Sequence, residues 1–350
     1  MSTPRPSVPS PAPGAAPPAG AAVIRPYRPA RGLGNGHVQT ILGKFLRPRT
    51  PLPVRRERIE TPDGDFLDLD FVRGARADAP PVLVLHGLEG AASRSYIHNT
   101  FRALLEAGLA PVGLNFRGCS GEPNRTVRAY HSGETGDVGM VVDLLAERGG
   151  RPAGLVGYSL GGNVTLKLVG ELGVRARERV GAAAAISVPF DLAAGADRIG
   201  TGLMGRIYTR YFMRSLLRKV ELKADLLRDA CDLADVRRAR TLRQFDEAAT
   251  APLHGFESAR DYYERSSSAA FIAHIRVPTL ILHSEDDPFL PSDRIPAAAM
   301  AANPWVTPVI TRRGGHVGFI EGGLRRPRFW AEETLASWLA ATLDPAPARR

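Results

Sequence analysis

Ala153-Gly154-Leu155-Val156-Gly157-Tyr158-Ser159-Leu160-Gly161-Gly162-Asn163-Val164 is an apolar run that stops abruptly at a serine set between glycines. A helix-forming stretch, Asn163 to Leu172, follows at once. This is a G-x-S-x-G pattern in a strand–turn–helix setting. A turn that sharp forces Ser159 into a strained backbone conformation, and Gly157 and Gly161 remove the side chains that would collide there. The expected result is a serine hydroxyl held out above a sheet edge, within reach of a base and a substrate.

The flanking sequence gives the sheet. Pro81 to Leu85 is continuously apolar, as a strand buried on both faces should be. A helix is expected from Ser95 to Ala107, a strand from Ala110 to Asn115, and a helix from Asp137 to Arg148, which leads to the Ser159 strand. Further strands are expected around Ala182 to Val188, Val277 to His283 and Trp305 to Thr311, and a closing helix over Arg328 to Leu343. Upstream, Arg55 to Glu60 and Phe66 to Val72 flank Pro62-Asp63-Gly64, a strong turn signal for an antiparallel hairpin. Alternating strands and helices of this kind predict an α/β fold with a mostly parallel, doubly wound sheet. Between residues 190 and 275 the alternation breaks into helical stretches only, which reads as an inserted helical lid.

A serine hydroxyl needs a neutral imidazole to take its proton, and that imidazole needs an anion to fix its tautomer and balance its cationic form. In a sheet of this kind the partners follow later strands in the order serine, acid, histidine. Three adjacent carboxylates, Glu285, Asp286 and Asp287, follow the strand ending at His283. His316 lies in the Gly-rich loop after the strand ending at Thr311 and is C-terminal to both partners. Two backbone N–H groups should face the oxygen on which negative charge develops. They are expected from Leu160, beside the nucleophile, and from Leu88, just past His86-Gly87. His86 itself reads as a structural strand-end histidine, and His37 as a hydrogen-bonded structural one.

The chain has 350 residues, a 44% hydrophobic fraction and a net charge of +10. Only four of its 46 basic residues are lysines (44, 167, 219 and 223), so the arginine excess reads as compositional bias rather than a nucleic-acid footprint. Two cysteines, Cys119 and Cys231, make neither a disulfide framework nor a zinc site, and suggest a reducing, cytoplasmic setting. No cofactor or metal is called for, and no stretch is long and apolar enough to span a bilayer. Residues 1–30 are rich in Pro, Ala, Gly and Ser and are expected to be disordered; residues 344–350 read as a frayed tail around a single domain, 31–343. Within the insertion, Arg206, Arg210, Arg214 and Arg218 recur every four residues. They are expected to form one stripe on a helix, with Leu203, Ile207, Tyr211, Leu217 and Val220 largely elsewhere. The plain expectation is a lid helix packed on the body with a solvated arginine face; a basic helix of that kind also suits peripheral contact with an anionic membrane, or a phosphate or carboxylate near the pocket.

Taken together, Gly34-Asn35-Gly36-His37-Val38-Gln39-Thr40, His86-Gly87-Leu88-Glu89-Gly90, Asn115-Phe116-Arg117-Gly118, Tyr130-His131-Ser132-Gly133, the Ser159 turn, Asp286-Asp287-Pro288 and Gly314-Gly315-His316 make the chain resemble the YheT-like α/β-hydrolases, bacterial relatives of the ABHD esterases. The resemblance spans residues 34 to about 323. It implies an α/β-hydrolase fold and cleavage of short- to medium-chain or lipid-like carboxylic esters. It also implies a triad of Ser159, Asp287 and His316. Asp-Pro-x-x-Pro resembles the family's acid loop, which selects Asp287 and leaves Asp286 as the alternative. The same triad could serve a thioesterase or acyltransferase, and a ligand-binding sensor could keep the fold without turnover. No chemical role follows from the sequence for Gly34 to Ile41.

Overall fold

The computed structural model describes residues 24–48 and 50–344. Eight strands form one sheet: β1 (Val54–Glu60), β2 (Phe66–Val72), β3 (Pro81–Leu85), β4 (Ala110–Asn115), β5 (Ala153–Tyr158), β6 (Val180–Ile186), β7 (Thr279–Ser284) and β8 (Val306–Thr311). Their spatial order is β1-β2-β4-β3-β5-β6-β7-β8. β1 and β2 form an antiparallel hairpin, and β2 meets β4 antiparallel. Every pairing from β4 onward is parallel. The expected α/β-hydrolase architecture is therefore present. The strand order reverses at β3 and β4, so successive crossovers there lie on opposite faces of the sheet, and β5 lies near its centre.

Side chains alternate across each strand, so one strand feeds two cores. On one face Leu83, Leu85 and Leu155 pack with α3 (Gly136–Gly149) and α4 (Leu160–Leu172). On the other, Val82, Val84, Val156 and Tyr158 pack with α2 (Ser95–Glu106) and the C-terminal helix Trp330–Leu343. All five residues of β3 and all six of β5 are buried, which explains why both read as unbroken apolar runs.

Three features depart from the sequence expectations. Residues 24–30, expected to be disordered, lie along the body: Arg25 pairs with Glu321 at 2.5 Å, and Trp330 Nε1 donates to Arg25 O at 2.8 Å. Apolar Ile24 and Tyr27, spaced among the prolines, supply the packing that composition alone hides. The rest of that segment, 1–23, and the tail 345–350 lie outside the described residues. Second, Arg328 and Phe329, expected to open the last helix, pair instead with Glu321 and Ile320 in a two-stranded ribbon of Arg326–Phe329 with Ile320–Gly323, and the helix starts at Trp330.

The third concerns the insertion. Between β6 and β7 the chain runs through several helices, among them α5 (Leu192–Arg198) and α6 (Gly202–Leu222). On α6 the four arginines do not hold a face of their own. Leu203, Ile207 and Tyr211 are exposed on the same outward arc, whereas Gly205, Thr209, Met213 and Val220 face inward. Residues four apart drift slowly around a helix, so two rows offset by three residues interleave instead of separating.

Candidate active site

The site forms beyond the C-terminal ends of β3, β5, β7 and β8. Ser159 connects β5 to α4 with φ +53° and ψ −118°, a conformation that L-residues rarely adopt. Its strain is held by its neighbours. Ser159 N donates to Ile186 O at 2.8 Å, and Asn163 N donates back to Ser159 O at 3.0 Å. The flanking glycines are required sterically: a Cβ at Gly157 would lie 2.1 Å from Gly161 O, and one at Gly161 would lie 2.7 Å from His86 O.

Asp287 and His316 meet. His316 Nδ1 lies 2.7 Å from Asp287 Oδ2. An ionised carboxylate only accepts, so Nδ1 carries the proton, and it is the neutral ring in this tautomer that offers a lone pair at Nε2. Asp287 is itself fixed, because Phe289 N donates to its Oδ1 at 2.8 Å. Phe289 also packs on the imidazole, with ring centres 4.6 Å apart. Asp286 does something else: its Oδ1 accepts from Gly315 N at 2.8 Å and so holds the loop that presents His316. Ser159 and His316 line one cavity of about 870 Å³, without a hydrogen bond between them among the described residues. Leu88 and Leu160 line it too. Among the described residues neither backbone N–H donates to a protein acceptor, so both are available to a ligand. Gly87 permits the approach, since a Cβ there would lie 3.2 Å from Ser159 Cβ.

The Gly34–Ile41 segment has a structural part in the site that the sequence did not disclose. Asn35 caps α1 (Gly36–Leu46) by accepting from His37 N and Val38 N. From α1, Thr40 Oγ1 accepts from His316 N at 2.8 Å, and Gln39 Oε1 accepts from Ile320 N at 2.9 Å. A Cβ at Gly36 would lie 2.0 Å from Asp286 O, and one at Gly315 would lie 2.3 Å from Gly36 O. Beyond α1, buried Arg47 pairs with Glu332 at 2.7 Å and donates to Val317 O at 2.6 Å. Ser187 Oγ accepts from Val317 N at 3.0 Å. The histidine loop is thus gripped on both sides of His316, which lets Val317 and Phe319 hold positive φ.

Glu89, next to Leu88, also went unread. It is buried at φ +53°. Its carboxylate accepts from Tyr130 Oη at 2.7 Å, from Lys219 Nζ at 2.9 Å and from Ser215 Oγ. Burial works to raise its pKa, but the Lys219 charge and these donors together hold it below the usual glutamate range. Ser215 and Lys219 lie one turn apart on α6, so the insertion reaches down onto the Leu88 loop. The only hint in the sequence was that four-residue spacing. His86 is structural: Nδ1 lies 2.8 Å from Gly87 O, and Nε2 accepts from Phe116 N at 3.3 Å. His37 meets Tyr208 of α6 at 3.3 Å. Arg117 is buried in ion pairs with Asp63, Asp65 and Asp137, and so braces the loop rather than a ligand. The far wall of the cavity carries His131 and His254, with ring centres 4.4 Å apart. Burial pushes their pKa values down to about 3 and about 4, so both are neutral. Among the described residues no group of three or more His, Cys, Asp or Glu is arranged to hold a metal ion.

A strained serine, an acid-paired imidazole and two free N–H groups on one cavity are the features of the esterase- and lipase-type α/β-hydrolases. The chain belongs to that family: residues 80–323 match the alpha/beta hydrolase fold. Within it, the chain is 39% identical to YheT of Escherichia coli (strain K12), which is named among the esterases; the match covers 91% of this chain and 94% of that one. It is 31% identical to Phospholipase ABHD3 of Mus musculus, over 92% of this chain and 80% of that one. In structure it resembles the esterase Pf2001 of Pyrococcus furiosus, with a TM-score of 0.54 and 15% identity over 90% of this chain and 100% of that one, a likeness of fold.

Proposed function

We propose that this protein is a serine hydrolase of carboxylic esters, with Ser159 as nucleophile, His316 as general base and acid, and Asp287 as the group that orients and balances His316. The observation that carries this reading is the 2.7 Å contact between His316 Nδ1 and Asp287 Oδ2 at the wall of the cavity that Ser159 lines. Nε2 takes the Ser159 proton as Oγ attacks the ester carbonyl carbon. The resulting oxyanion accepts hydrogen bonds from Leu88 N–H and Leu160 N–H, which need no reorganisation as charge develops. The tetrahedral intermediate collapses, the C–O bond to the alcohol breaks, and His316 returns the proton to the departing oxygen. Water then attacks the acyl-enzyme with His316 again as base, releasing the acid and restoring Ser159.

The cavity walls support this substrate class. Phe212, Leu216, Phe289 and Leu290 offer apolar surface for an acyl chain, which suits short- to medium-chain or lipid-like esters. The names of the esterase and phospholipase relatives support the same class. The helices between β6 and β7 act as a lid over this cavity. Cys119 and Cys231 are free thiols, which suits a reducing cytoplasm.

Ser159→Ala should lower p-nitrophenyl ester turnover by at least ~10³-fold and abolish labelling by a fluorophosphonate. Undiminished labelling of that variant would refute the assignment of the nucleophile.

A further inference from the structure

Large exposed apolar side chains are concentrated on one side of the molecule. Of the nine among the described residues, six belong to α1 and α6: Ile41, Phe45, Leu203, Ile207, Tyr211 and, at the last position of α6, Leu222. Leu203 is 75% exposed and Phe45 54%. The two helices are neighbours. His37 of α1 contacts Tyr208 of α6, and Lys44 Nζ sits 5.0 Å from the Tyr211 ring centre. Each helix presents its apolar residues one turn apart on an outward face, so the two rows make one patch.

Charge is interleaved with this patch. Arg206, Arg210, Arg214 and Arg218 are exposed on the same arc of α6, and among the described residues none pairs with a carboxylate. Residues 202–220 contain no Asp or Glu. Elsewhere the surface arginines commonly do find partners, as Arg56, Arg125 and Arg243 do. The patch also adjoins the cavity, because Phe45, Tyr211 and Arg218 line it.

We propose that this α1–α6 face docks on an anionic lipid bilayer, with α6 in the plane of the interface and the cavity mouth turned toward the lipid. Leu203, Ile207 and Phe45 enter the acyl boundary while the guanidinium groups meet phosphates. Charge complementarity selects this occupant. A second copy of the chain would oppose cations to cations across a two-fold axis. A nucleic acid would engage the arginines and leave Leu203 and Ile207 in water. The purpose of the surface, delivery of a lipid ester to Ser159, rests on the ester-hydrolase reading; the docking does not.

The test is co-sedimentation of the full chain with phosphatidylcholine vesicles, with and without phosphatidylglycerol, in low and high salt. Binding should require the anionic lipid and weaken with salt. Leu203→Ser with Ile207→Ser, and Arg206→Glu with Arg210→Glu, should each reduce it by at least ~10-fold, since one juxtamembrane cation is worth roughly fivefold. None of these four residues lines the cavity, so cleavage of a dissolved short-chain ester should stay unchanged in both variants. Equal binding to neutral vesicles, or none to anionic ones, overturns the proposal. So does a dimer in solution that Leu203→Ser with Ile207→Ser dissociates. A chain that binds vesicles yet cleaves no ester retains the docking surface and loses the hydrolase reading.

Discussion

Asp286 and Asp287 are adjacent in sequence, yet their carboxylates do different work. The chain turns between them: Asp287 N–H points back to Ser284 O at 3.4 Å, and its side chain swings under the imidazole. Asp286 remains on the side of α1, with one oxygen on Gly315 N and the other buried without a partner. The two roles separate experimentally. Asp287→Asn should cost on the order of 10⁴-fold in turnover, because an amide stabilises neither the right tautomer nor the cationic ring. Asp286→Asn keeps an oxygen for Gly315 N, so its loss should stay under about tenfold; Asp286→Ala, which strands that N–H, should lose more. Steady-state kinetics on a neutral p-nitrophenyl ester distinguish them, and equal losses for the two asparagine variants would contradict the division. The sequence made both residues candidates but could not choose between them on spacing alone. A one-residue difference in a loop is decided by backbone direction, which adjacent carboxylates do not encode.

At the scale of elements, legibility followed the distance over which information had to travel. β3, β5 and the turn at Ser159 could be read because burial on two faces and steric crowding at Gly157 and Gly161 are local requirements. His316 could be read because it follows a recognisable strand. α1 could not be assigned a role, since its work is done on a loop 276 residues away, where Thr40 receives His316 N–H. Glu89 was equally opaque, because its partners Ser215 and Lys219 come from an insertion 126 and 130 residues later. Long-range polar contacts leave no periodic trace, and only a local oddity, a glycine-rich run at 34–36, marked where one would be. The reading of α1 as a brace makes a prediction. Thr40→Val removes the acceptor for His316 N–H and should lower kcat about tenfold, with KM little changed, since valine keeps the size of the side chain that Thr40 presents at the cavity wall. Thr40→Ser retains the hydroxyl and should restore most of it. A fall in KM affinity with kcat intact would instead place Thr40 among the substrate contacts.

For the whole molecule, the same burial that builds the site fixes its response to acid. His86, His131, His254 and His283 are held neutral by burial, with pKa values pushed down to about 4, about 3, about 4 and about 4. An unfolded chain takes up protons on these rings near pH 6.5, whereas the native chain does not until near pH 4. Over that window the unfolded state binds more protons, so stability is fully present above about pH 6.5 and is lost as pH falls toward 4. For fully buried His86 the loss amounts to about 3 kcal/mol at the lower end. Asp246 works in the opposite sense: burial raises its pKa to about 6, so it favours the native state at low pH, but it is one group against four. The denaturation midpoint in urea should therefore fall between about pH 7.5 and about pH 5, before the arginine-paired carboxylates begin to titrate. His283 isolates the effect. Its two ring nitrogens have no hydrogen-bond partner, and its ring packs on Phe190 with centres 5.2 Å apart. His283→Phe keeps that packing and removes a titrating group. The variant should match or exceed the parent at about pH 7.5 and gain on it by about 1–2 kcal/mol at about pH 5. A constant difference at the two pH values would mean that the His283 ring reaches protons in the native state, and the acid sensitivity would then have to come from the carboxylates.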